Sequence, residues 1–109
     1  MSRIGVELRV EGIVQGVGFR PFVYALAVRF GLAGDVRNDS RGVILDVEGE
    51  TENIAPFMAA LEREAPPLTV IERITRREVS PRGRTSFLIV PARPRGRRGR
   101  ATALATRSP

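Results

Sequence analysis

The chain contains no cysteine and no histidine. The first absence excludes disulfides and thiol nucleophiles, and the second removes every mechanism that uses an imidazole base. Together they exclude zinc sites with Cys or His ligands. Carboxylates alone can hold a metal, but no clustered acidic motif is present, so neither a metal nor another cofactor is expected. Lysine is also missing, and all 18 basic residues are arginine. No apolar run approaches the roughly 20 residues that a membrane span needs. Met1-Ser2-Arg3 passes straight into a strand pattern with no signal-peptide character. The expected compartment is the cytoplasm, with no membrane partner.

What is present suits one small domain. A chain of 109 residues can bury one modest core, about 60–65% of its unfolded surface. The net charge is +6, but six arginines (Arg93, Arg95, Arg97, Arg98, Arg100, Arg107) lie beyond residue 90 without an acid among them. Before that point twelve arginines face twelve acids, so the basic character belongs to the tail. Two regions follow: a folded domain over residues 1–90, and an Arg-, Pro- and Gly-rich linker or disordered tail over 91–109.

Ile4, Val6, Leu8 and Val10 alternate with Gly5, Glu7, Arg9 and Glu11, the pattern of a half-buried strand. A loop over 12–20 follows. Pro21 falls where a first helical turn tolerates it, and Phe22, Val23, Leu26, Ala27 and Phe30 then recur at helical spacing up to Gly31. Residues 32–36 predict a second strand and Val43–Glu48 a third, joined by a turn through Asn38-Asp39-Ser40-Arg41-Gly42. Gly49-Glu50 reads as the end of that strand. A second helix is expected from near Asn53, with Pro56 in its first turn, until Ala65-Pro66-Pro67 stops it. Residues 68–79 favour a strand through their β-branched content, and 86–90 a short last one. The fold class is α+β: a ferredoxin-like βαββαβ sandwich with an added strand, an antiparallel sheet carrying two helices on one face.

The segment Gln15-Gly16-Val17-Gly18-Phe19-Arg20 lies between the first strand and the first helix. Two glycines two residues apart let the loop curl until its N–H groups point inward. Such a concavity binds anions, and a helix N-terminus adds positive partial charge to it. Arg20 supplies a fork of donors suited to phosphate oxygens, and a cation at a helix start is unfavourable unless an anion accompanies it. The phosphate-binding candidates are therefore Gln15, Gly16, Val17, Gly18, Phe19 and Arg20. The side chain of Gln15 is read as a brace for the loop rather than as a catalytic group. Asn38 on its own reads as a turn residue, in a left-handed conformation or an Asx turn, rather than as a functional one.

The longer pattern Val10-x-Gly12-x-Val14-Gln15-Gly16-Val17-Gly18-Phe19-Arg20 resembles the first signature of the acylphosphatases. Gly34-Asp35-Val36-Arg37-Asn38, with Gly42 after a short turn, resembles the second, although Asp35 stands where an aromatic commonly follows the glycine. The resemblance covers about residues 3–90. Arg20-Pro21-Phe22-Val23-Tyr24 is most similar to the N-terminal acylphosphatase-like domain of the HypF family of hydrogenase maturation carbamoyltransferases. It implies Arg20 and Asn38 as catalytic residues, the first on the phosphoryl group and the second orienting water. It also implies a small-molecule acyl phosphate or carbamoyl phosphate as partner, together with further carbamoyltransferase modules. The implied activity is metal-independent hydrolysis to a carboxylate or carbamate plus phosphate.

The alternative is a non-catalytic module that binds phosphate or carbamoyl phosphate. Nucleic-acid binding is disfavoured: ferredoxin-like sheets bind RNA through aromatics on the central strands, and Ile4–Val10 and Val43–Glu48 contain none.

Overall fold

Period-two alternation of apolar side chains builds the sheet, and helical spacing supplies its cover. The computed structural model describes residues 2–91, so the tail expected over 91–109 lies, apart from Pro91, outside the described residues. The elements are β1 (Arg3–Ile13), α1 (Phe19–Arg29), β2 (Ala33–Asp39), β3 (Gly42–Glu50), α2 (Thr51–Arg63), β4 (Val70–Val79) and β5 (Phe87–Ile89). The strands form one sheet in the order β4-β1-β3-β2-β5. No helix among the described residues is long and apolar enough to cross a membrane.

The expected α+β sandwich is present. Val6, Leu8 and Val10 of β1 join Val36 of β2 and Val43, Leu45 and Val47 of β3 on one sheet face. Phe19, Val23, Leu26 and Ala27 of α1 and Ile54, Phe57, Ala60 and Leu61 of α2 close over them as one core. Burying each large apolar side chain contributes about 1.5–3 kcal/mol. The first four strands pair antiparallel. The added strand is different: β5 runs parallel to β2, so the complete sheet is mixed.

Three local expectations are corrected. Gly49-Glu50 does not break β3 but forms its last two paired residues, Ile4 opposite Gly49 and Arg3 opposite Glu50; the neighbouring strand overrides the poor propensity of glycine. Helix α2 begins at Thr51, not near Asn53, so Pro56 lies inside it rather than in its first turn. The Thr51 N–H donates to the Ser2 carbonyl at 2.8 Å, which ties the helix start to the chain before β1. The loop after β1 is shorter than 12–20, since the strand continues to Ile13 through a bulge between Glu11 and Gly12. Gly12 has φ 133°, and a Cβ there would stand 2.1 Å from the Val70 carbonyl oxygen. Only glycine allows that approach.

Helix α1 ends as the sequence suggests. Gly31 has φ 67°, its N–H reaches the Val28 carbonyl at 3.1 Å, and the Leu32 N–H reaches Ala27 at 2.8 Å. This Schellman pairing satisfies the last carbonyls and turns the chain into β2.

The other sheet face is ionic. Glu7, Asp46 and Asp35 stand in line across β1, β3 and β2. Arginines separate their charges: Arg77 binds Glu7, Arg37 binds Asp35 and Asp46, and Arg84 binds Asp35.

Candidate functional site

The segment between β1 and α1 is an open curl. Gly16 and Gly18 have φ 74° and 81°, left-handed values that glycine adopts freely. Gly18 is the N-cap of α1, with no side-chain cap and no acidic residue in the first turn. Among the described residues, nothing accepts a hydrogen bond from the N–H groups of Gly16, Val17, Gly18, Phe19 or Arg20. Unpaired N–H groups at the positive end of a helix form a concentrated site for negative charge.

Each side chain around the curl has a distinct place. Phe19 is buried in the core and packs 5.7 Å from Phe22, so only its N–H is available to a ligand. Val17 rests partly buried against the same core. Gln15 behaves as a brace. Its Nε2 donates to the Asp39 carbonyl at 2.6 Å and to the Gly42 carbonyl at 2.7 Å. Those two residues pair across the tip of the β2–β3 hairpin, so Gln15 fixes the curl to that hairpin.

Asn38 lies one residue from this brace. It is two residues from Val36 and opposite Val43, both core residues. The strand period therefore puts its side chain on the helix face. Its Oδ1 is buried without a hydrogen-bond partner among the described residues. A buried polar atom left this way is costly, and such exceptions recur at binding sites. Asp39, the next residue, points the other way and pairs with Arg9. The Ser40 N–H and then the Arg9 guanidinium, against an opposing effect of burial, hold its carboxyl below the usual range. It takes no part in the site.

Arg20 is in the first turn of α1. Its Nη1 donates to the Val90 carbonyl at 3.0 Å, and the Val90 N–H donates to the Val36 carbonyl at 2.9 Å. Arg20 is thereby linked through one residue to the strand that carries Asn38. No local pattern signals this linkage, because the partner is a main-chain carbonyl 70 residues away. The structure thus gathers the curl, Arg20, Gln15 and Asn38 at one end of the helix face.

Known proteins share this arrangement of chain. The acylphosphatase family model matches residues 6–89. Carbamoyltransferase HypF2 of Cupriavidus necator is 48% identical over 71 residues, which are 65% of this chain and 9% of that protein. The crystal structure of full-length HypF in its phosphate- and nucleotide-bound form superposes with a TM-score of 0.81 and 40% identity, over 84% of this chain and 12% of that one. The crystal structure of acylphosphatase from Bacillus subtilis superposes with a TM-score of 0.74 and 34% identity, over 83% of this chain and 100% of that one. The chain thus spans about a tenth of the length of the HypF relatives and matches a stand-alone acylphosphatase along its whole length.

Proposed function

Because the chain belongs to the acylphosphatase family, we propose that the curl and Arg20 hold the phosphoryl group of an acyl phosphate while Asn38 aims water at it. The domain is an acylphosphatase domain, homologous both to part of the HypF carbamoyltransferases and to stand-alone acylphosphatases. One observation supports the assignment of roles above the rest. Unpaired N–H groups and an arginine stand at one helix N-terminus, and the curl there is braced to the hairpin whose Asn38 keeps a buried Oδ1 without a partner.

The chemistry asks for little more. An acyl phosphate carries a good leaving group, a carboxylate or carbamate, which departs without prior protonation. The acyl-oxygen–phosphorus bond breaks as water oxygen bonds to phosphorus in line, the electron pair leaves with the carboxylate or carbamate, and the proton lost by water passes to a phosphoryl oxygen. Catalysis then consists of positioning and of stabilising the charge on the equatorial oxygens. The N–H groups from Gln15 to Arg20 and the Arg20 fork provide that stabilisation. Asn38 holds water through its amide and has no proton to exchange. No step needs a metal or an imidazole.

Carbamoyl phosphate is the substrate we assign, with carbamate handed to further modules of a cytoplasmic carbamoyltransferase that serves hydrogenase maturation. The test is release of inorganic phosphate from carbamoyl phosphate and from a generic aryl acyl phosphate. Asn38→Ala should bind phosphate as the parent does and turn over roughly 10²–10³ more slowly. Parent-like turnover by Asn38→Ala removes its role. A parent that binds phosphate without releasing it from either substrate is a binding module, not a hydrolase.

A further inference from the structure

The contact between Arg20 and residue 90 has a geometry that the proposed roles leave unexplained. Arg20 occupies the positive end of α1, beside N–H groups that also carry positive partial charge. With no anion bound, these dipoles push its guanidinium outward toward solvent. The Val90 carbonyl opposes that push, since its oxygen accepts from Nη1 at 3.0 Å. A guanidinium has five N–H donors in a fixed plane, so one bond sets its direction and leaves the remaining donors for a ligand.

The same residue is fixed on its other side. The Val90 N–H bonds to the Val36 carbonyl at 2.9 Å, and Val36 lies two residues before Asn38 on β2. Residue 90 therefore touches both halves of the site through its backbone alone. Its support is slight. Strand β5 has three residues, of which Phe87 is buried while Leu88 and Ile89 are 60% and 39% exposed. Few buried contacts make a segment prone to open locally.

We propose that the backbone of Val90 is a positioning group for Arg20, aiming the guanidinium into the curl before any ligand arrives. This rests on the reading of Arg20 as a phosphate ligand. Detaching residue 90 from β2 then lets Arg20 turn away and weakens phosphate binding while the domain stays folded.

The test uses the full chain. Val90→Pro removes the N–H that clasps β2, whereas Val90→Ala keeps both the N–H and the carbonyl and trims only the side chain. Binding of inorganic phosphate is measured by calorimetry, folding by thermal melting, and the Arg20 side chain by its Nε–H resonance. Val90→Pro should bind phosphate about tenfold more weakly, the size expected when a hydrogen bond to a charged group is lost. Val90→Ala should match the parent. In ligand-free parent protein the Arg20 Nε–H should exchange slowly and shift in Val90→Pro. Parent-like phosphate affinity in a folded Val90→Pro overturns the proposal. If that variant does not fold, the parent resonance decides: an Arg20 Nε–H as labile as those of exposed arginines overturns it too. Failure of the underlying reading looks different, because Arg20→Ala would then bind phosphate as tightly as the parent.

Discussion

Two loops in this domain use the same physics to opposite ends. In the loop between β4 and β5, the N–H groups of Arg82, Gly83 and Arg84 converge on the carboxylate of Glu48, with Gly83 at φ 78°. Arg84 closes that ring through Nε at 2.7 Å, and Arg3 adds a contact at 3.3 Å. Between β1 and α1, glycines at φ 74° and 81° likewise turn N–H groups inward beside an arginine. There no carboxylate of the described chain fills the hollow. One cradle is closed by its own anion and serves the fold. The other is open, and in the proposed function it receives an anion from outside. The difference lies in which strand residue sits beneath: a charged Glu48 under the first, a neutral Asn38 beside the second.

The sharpest way to break the comparison is to remove each arginine. Arg20→Ala should reduce turnover of an acyl phosphate by roughly 10²–10³, about 3–4 kcal/mol, and abolish phosphate binding with little change in melting temperature. Arg84→Ala should do the reverse. It leaves Glu48 and Asp35 short of a partner and costs about 2 kcal/mol of stability, while turnover per folded molecule stays at the parent value. Steady-state kinetics beside denaturant titration separates the two. Equal loss of turnover in both variants would erase the distinction between an open and a closed cradle.

The next effect concerns the anion already in place. Burial alone would push Glu48 upward, yet the Arg84 guanidinium and the three N–H groups outweigh it and lower its pKa from 4.5 to about 2. The side chain is fully buried, so little solvent screens these bonds. Because the folded value lies below the unfolded one, the carboxylate stabilises the fold fully above pH 4.5 and this is lost as pH falls toward 2. The shift corresponds to about 3 kcal/mol. Glu48→Gln should therefore be less stable than the parent by about that amount at neutral pH, and denaturant titrations of the two should converge as pH approaches 2. A gap that persists unchanged in acid would assign the loss to packing rather than to charge.

How much of this was legible in the sequence follows the same division. The open cradle could be read because its elements are consecutive: strand, two spaced glycines, arginine, helix. The alternation of β1 and the spacing of α1 were equally local. The closed cradle could not be read. Asp46 and Glu48 alternate with core residues and look like a solvated strand face, yet both are buried. Their cover comes from Arg37, Arg84 and the loop around Gly83, partners as far as 36 residues away. Asp35, at a position where an aromatic was expected, gave a partial signal: it belongs to this ionic face, bound by Arg37 and Arg84. The parallel pairing of β5 and the contact of Arg20 with Val90 depend on tertiary closure, which no local pattern encodes.

The smallest expected effect is also the cleanest comparison, because the two backbones are alike. Gly18 and Gly83 both have left-handed φ, and a Cβ at either would meet nothing within 4 Å. Alanine at each should therefore cost only the backbone penalty, about 1–2 kcal/mol, with asparagine recovering part of it. The stabilities of Gly18→Ala and Gly83→Ala should fall together. Turnover should not. A distorted Gly18 misdirects N–H groups that have no partner until substrate binds, so some of the penalty reappears in the transition state as a drop of several-fold in kcat. A distorted Gly83 strains bonds that are already made, and its cost is confined to folding. If kcat falls equally in both variants, the N–H groups after β1 have no special part in the reaction, and the open curl is only a turn.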